Sequence, residues 1–177
     1  MADLERLVAL VHRHLGRKRI WLTEFGYQTN PPDIFLGVSP EKQAEYVASA
    51  SWRIHRAPFV DMLIFFLVRD DATAEGWQSG FTSVGGVVKP AYTAFRRPLV
   101  RASRTGGLVA LWGQIRPGSG RQAYRVRVSR GKGWAWLGGV RQTDARGTLA
   151  FRARLAPGSL VQVYALRQRS ASLAVRV

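Results

Sequence analysis

Near residue 98 the chain changes its pattern, and that change limits the possible folds more than any single motif does. Before it, helical and extended stretches alternate. Leu4, Leu7, Val8, Val11 and Leu15 recur at helical spacing, and Gly16 ends the run. "RIWLTEFG" then reads as a strand. In "SPEKQAEYVASASWRIHR" Ser39 suits an N-cap and Pro40 the first helical position, while Ala44, Val47, Ala50 and Ile54 share one face. "FVDMLIFFLVRDD" is apolar from Met62 to Val68, the pattern of a strand buried on both faces. "KPAYTAFRR" supplies a closing helix. The order helix, strand, helix, strand, helix predicts an α/β unit with a parallel sheet.

After Pro98 the pattern is all-β. "GLVALWGQI", "QAYRVRV", "GWAWLGGV", "TLAFRARL", "LVQVYALR" and "SLAVRV" are separated by turn-forming stretches such as "RPGSGR", "SRGKG" and "APGS". This spacing predicts a small β-sandwich over residues 107–177, with a linker at 98–106. Charge divides at the same place. Residues 1–97 hold 12 Lys/Arg and 10 Asp/Glu, whereas residues 98–177 hold 15 Lys/Arg against the single acid Asp144. Arginines alternating with apolar residues, as in "YRVRV" and "FRARL", predict the solvated face of half-buried strands, with a polyanion-binding surface as the second reading. Trp112, Trp134 and Trp136 permit a carbohydrate-binding role, but tryptophans at alternate positions are expected in the core.

The 177 residues suffice for a substantial core. The absence of cysteine removes disulfides and thiolate chemistry, so packing must supply stability. No apolar run is long enough to span a membrane, and the start "MADLERLVALVHRHLG" reads as an amphipathic helix rather than a signal peptide. His12, His14 and His55 fall on expected helices without carboxylates at ligand spacing, so no metal site is expected. Neither a G-x-S-x-G elbow nor a phosphate-binding loop is present.

One residue breaks the apolar logic of the first strand. Alternation from Ile20 sends Ile20 and Leu22 to one face and Trp21 and Thr23 to the other, and leaves Glu24 at the carboxyl end. A strand of this kind gains nothing from an acid there, which makes Glu24 a candidate site residue.

"IWLTEFGY", the helix after it, "FFLVRDD" and then "GWQSGFTSVGGVVKPAYTAFRR" together resemble the seventh and eighth βα units of the clan of retaining glycoside hydrolases built on the (β/α)8 barrel, a group that includes cellulases and β-glycosidases. The resemblance covers residues 1–97. It implies that Glu24 is the catalytic nucleophile, and that Tyr27, Asp70, Asp71 and Trp77 line the sugar site. It implies no cofactor, a carbohydrate substrate, and an extracellular setting such as that of secreted bacterial hydrolases. The β-domain resembles the Ig- or fibronectin-type accessory modules that follow such enzymes.

The resemblance also has a gap. The acid/base glutamate of the clan follows an asparagine at the end of the fourth strand, but the only asparagine here is Asn30 and no Asn-Glu pair occurs. Such barrels need eight strands and roughly 250 residues, whereas two βα units are legible. Glu75, in the second loop, is a weak substitute for the acid. The expected architecture is therefore the last two βα units of an incomplete barrel followed by a β-sandwich. The chain would carry the nucleophile without the acid/base, as a truncation or one piece of a split enzyme. Its expected partners are the missing amino-terminal barrel segment or another copy of itself. The alternative is a non-catalytic carbohydrate- or polyanion-binding module. Nucleic acid is disfavoured, because the basic residues lie on separate strands and no nucleic-acid motif accompanies them.

Overall fold

The computed structural model describes residues 3–73, 75–131 and 133–177. The chain divides into two compact units, Met1–Tyr92 and Thr93–Val177.

In the first unit, helix α1 (Leu4–Leu15) leads to strand β1 (Ile20–Phe25), helix α2 (Pro40–Arg56) and strand β2 (Val60–Phe65). Ser39 caps α2 as its type predicts, its side chain accepting from Lys42 N at 3.2 Å with Pro40 just inside the helix. β1 and β2 pair in parallel. On one side of the pair Leu4, Ile20 and Val60 are buried together, with Val8, Val11, Leu22 and Ile54 packed around them. Both helices thus contribute to covering the same side. The other side is bare: Trp21 is 62% exposed, and Met62 and Ile64 are also exposed. This corrects the expectation that the second strand is buried on both faces. Among the described residues no third strand joins the pair, and no helix is long and apolar enough to cross a membrane.

Helix α3 (Pro90–Arg96) spans the junction of the two units. The second unit begins at once with strand β3 (Leu99–Thr105), which pairs antiparallel with β4 (Leu108–Gln114) across the tight turn at Gly106 and Gly107. The stretch expected to be a linker is therefore a strand. β4 also pairs with β8 (Thr148–Arg154), giving the order β3-β4-β8. A second sheet is built on β5 (Ala123–Ser129) and β9 (Leu160–Ala165), with the short β6 (Ala135–Trp136) and β7 (Arg141–Gln142) along β5, and β10 (Ser170–Ala171) and β11 (Val175–Arg176) along β9.

Period-two alternation builds the core of this unit. Val109, Leu111, Leu149 and Phe151 of one sheet share a buried cluster with Tyr124, Val126, Val161 and Val163 of the other. Trp112 is buried as expected, but Trp134 and Trp136 are 40% and 46% exposed and do not belong to the core. "GWAWLGGV" forms only the two-residue β6 because its glycines and exposed rings offer little to bury.

Candidate active site

Parallel pairing places the ends of β1 and β2 on the same side; Glu24 stands near the end of β1, and the loops that follow, residues 26–39 and 66–89, carry Tyr27, Asp70, Asp71, Glu75 and Trp77. Glu24 owes its position to an irregularity in the pairing. Leu22 lies opposite Leu63 and Phe25 opposite Phe65, so β1 fits one more residue than β2 between these two pairs. Such a bulge re-aims side chains. Thr23 and Glu24 both become exposed, while Phe25 returns to the helix-covered side, where its ring meets Phe65 at 5.3 Å and Tyr27 at 5.5 Å. Tyr27 in turn lies 4.5 Å from Tyr46 of α2. Among the described residues Glu24 forms no ion pair. Gly26 follows because β1 ends against the neighbouring loop: a Cβ there would collide with the Phe66 carbonyl and the Ser79 side chain.

The other candidates have structural work within the protein. Asp70, expected among the sugar-facing residues, is 6% exposed. Its Oδ1 accepts from Lys89 Nζ and from Gly80 N, each at 2.8 Å, and its Oδ2 lies 2.7 Å from Lys89 Nζ. Lys89 also donates to Thr29 Oγ1 at 2.8 Å and to the Gln78 carbonyl at 3.0 Å, so its ammonium is saturated. Asp71 Oδ2 accepts from Trp77 N at 2.6 Å, and Gly76 leaves room for the Asp71 side chain. Trp77 itself is exposed, its ring edge-on to Phe66. Tyr27 is half-buried; that burial, then neighbouring Tyr46, pushes its phenol above the ordinary value, so it stays a neutral hydrogen-bonding group. Glu75 is exposed.

Four residues escaped sequence reasoning: Thr29, Gln43, Gln78 and Lys89. Gln43 Nε2 donates to the carbonyls of Tyr27 at 2.9 Å, Ser79 at 3.2 Å and Gly80 at 3.4 Å, which ties α2 to both loops. A signal for it existed, since Gln43 falls on the buried stripe with Val47 and Ala50. A buried polar residue in a helix face must find partners outside that helix. Lys89 was visible only as the residue before Pro90, where nothing separates a buried lysine from an exposed one. Lys89 and Asp70 help to line a cavity of about 520 Å³ together with Pro31, Pro32, Val84 and Val88. Among the described residues no three His, Asp or Glu side chains come together as a metal ion would require.

No protein-family model and no curated protein matches the chain. Solved structures similar to it include a calcium-binding mutant of beta-glucuronidase 2 from Bacteroides uniformis, at 14% identity and a TM-score of 0.46, covering 99% of this chain and 23% of that one. The same enzyme covalently bound to cyclophellitol-6-carboxylate aziridine matches at 13% identity and 0.47, covering 99% and 24%. Beta-glucuronidase from Parabacteroides merdae matches at 10% identity and 0.45, covering 96% and 26%. The similarity is weak, and the chain spans about a quarter of the length of these structures.

Proposed function

We propose that this chain is the carboxyl-terminal portion of a retaining glycoside hydrolase, with Glu24 as its nucleophile. The observation that supports the reading is the bulge, which leaves Glu24 exposed at the carboxyl end of its strand; after Leu22 and before Phe25, both on the helix-covered side, it would face the bare side of the pair. Helices cover the opposite side. In a (β/α)8 barrel the helix-free side is the interior, and catalytic groups come from the carboxyl ends of the strands. Trp21, Met62 and Ile64 would then be interior residues awaiting the other strands, and Trp77 would offer its exposed ring to a sugar face. The second unit would be the accessory β-sandwich, and the enzyme would work outside the cell.

A retaining mechanism has one carboxylate attack the anomeric carbon while a carboxylic acid roughly 5 Å away protonates the leaving oxygen; that acid then returns as a base to activate water. Glu24 supplies the first group. The second comes, in this proposal, from the remaining barrel segment, so the 177-residue chain alone should turn over no glycoside. The test is made in the chain completed with that segment, in one polypeptide or by complementation. There, Glu24→Gln should lower kcat by several orders of magnitude while substrate binding persists, because the amide keeps the shape and loses the nucleophile. A fluorinated glycoside that traps the covalent intermediate should label Glu24. Full activity in Glu24→Gln, or labelling at another residue, overturns the assignment.

A further inference from the structure

We propose that the outward face of the β5–β9 sheet, centred on Trp134, Trp136, Arg125 and Arg127, binds an acidic polysaccharide, with carboxylate or sulfate groups on the guanidinium edges and pyranose faces on the indole rings. The inference stands on the geometry of the second unit and does not need the glycosidase reading.

Alternation in β5 and β9 buries Tyr124, Val126, Val161 and Val163 and turns Arg125, Arg127, Gln162 and Tyr164 outward. Arg125 lies opposite Tyr164, and Arg127 lies between Gln162 on one side and Trp136 on the other. The rings and the cations interleave. Arg125 Cζ lies 4.1 Å from the centroid of the Trp136 ring, and Arg127 Cζ 4.8 Å from that of Trp134. Trp136 also meets Tyr164 edge-on at 6.0 Å. Arg127 Nε donates to Gln162 Oε1 at 2.9 Å, whose Nε2 donates to the Ser172 carbonyl at 2.9 Å, so this guanidinium is held in place. Trp134 and Trp136 further border a cavity of about 380 Å³ with Val128, Arg130, Leu137 and Leu155.

The face has no anion of its own. Residues 93–177 hold 17 Lys/Arg and one acid, Asp144. That carboxylate is committed to its own turn, where Oδ1 accepts from Arg146 N and Thr148 N. Stacking leaves the edge of a guanidinium free for a planar, bidentate anion. The counter-charge must therefore come from outside.

The spacing selects the class of polyanion. In an acidic sugar the charged group is carried by the same ring that stacks, so cation and aromatic ring must be contiguous, as they are here. In a nucleotide a ribose separates base from phosphate, and platforms for single strands line a separate cationic track.

The test is binding of the full chain to polygalacturonate, to its methyl-esterified neutral form, and to oligothymidylate, by calorimetry at low and high salt. Polygalacturonate should bind, salt should weaken it steeply, and the ester should bind at least about tenfold more weakly. Trp134→Ala and Trp136→Ala, both at exposed positions, should each cost about tenfold in affinity. Arg125→Gln combined with Arg127→Gln should cost more. Arg152→Gln combined with Arg154→Gln removes the same charge from the other sheet and should change affinity less than about threefold. Tighter binding of oligothymidylate overturns the polysaccharide assignment. Equal losses from the two arginine pairs, or no loss from the tryptophan variants, reduce the face to diffuse charge attraction and overturn it as a site.

Discussion

The two units keep their polar groups in different places. In the second, Leu111, Val126, Val161 and Val163 belong to a large apolar core between two antiparallel sheets, and the polar residues buried there, Gln122, Ser129, Thr143, Ser159 and Ser172, are uncharged. In the first, Leu4, Ile20 and Val60 are buried together and Ala44, Val47 and Phe81 are buried too, but around the strand ends they share the interior with Thr29, Gln43, Gln78, Ser79 and the charged pair Asp70 and Lys89. An apolar core is non-directional and tolerates adjustment, whereas a buried polar network depends on directional bonds between particular partners. The carboxyl-end loops are fixed by directional bonds, as an arrangement presenting Glu24 and Trp77 would require.

The largest effect is expected at Lys89. Lys89→Met leaves Asp70 as an uncompensated buried charge and should destabilise the first unit by about 3–5 kcal/mol. Hydrogen exchange should show lost protection across the 26–39 and 66–89 loops, with β4, β5 and β9 unchanged. A somewhat smaller loss is expected in the other unit. Leu111→Ala should cost about 2–4 kcal/mol through lost burial and the cavity left behind. Protection should then fall across both sheets while the loops of the first unit keep theirs.

The smallest effect concerns the exposed pair at the strand starts, where Arg19 Nε donates to Asp61 Oδ2 at 2.7 Å. The hydrogen bond from Arg19 holds the Asp61 carboxyl below its ordinary value of 3.8. A depressed carboxylate stabilises the fold above its unfolded value and loses that contribution as pH falls through the folded one. Below pH 3.8 the first unit should therefore weaken slightly more in the native protein than in Asp61→Asn, read from acid titrations of the two. A large difference would mean that an exposed pair matters more here than such pairs usually do.

Much of the fold was legible because its elements carry local signals. The stripe from Leu4 to Leu15, the Ser39-Pro40 cap and the alternation in "YRVRV" each dictate their element without help from distant residues. β3 was missed because "LVRASRT" buries only Leu99 and reads as polar; its pairing with β4 is what makes it a strand. The exposed face of β2 was missed because a sequence shows that residues are apolar, not whether something covers them. At the site, the prominence of Glu24 came from its chemistry at a strand end. The burial of Asp70 depends on Lys89, nineteen residues away, and no pattern in either neighbourhood announces it.

The closed ring of acceptors around Lys89 has a consequence for chemical labelling. Lys18 and Lys42 stand exposed, and an amine-acylating reagent should reach both at once. The Lys89 nitrogen, hemmed in by Thr29, Asp70 and Gln78, reacts only when the loops part. The peptide containing Lys89 is thus a built-in clock: the rate at which it gains mass reports how often the carboxyl end of the pair opens, in the native protein and without any substitution.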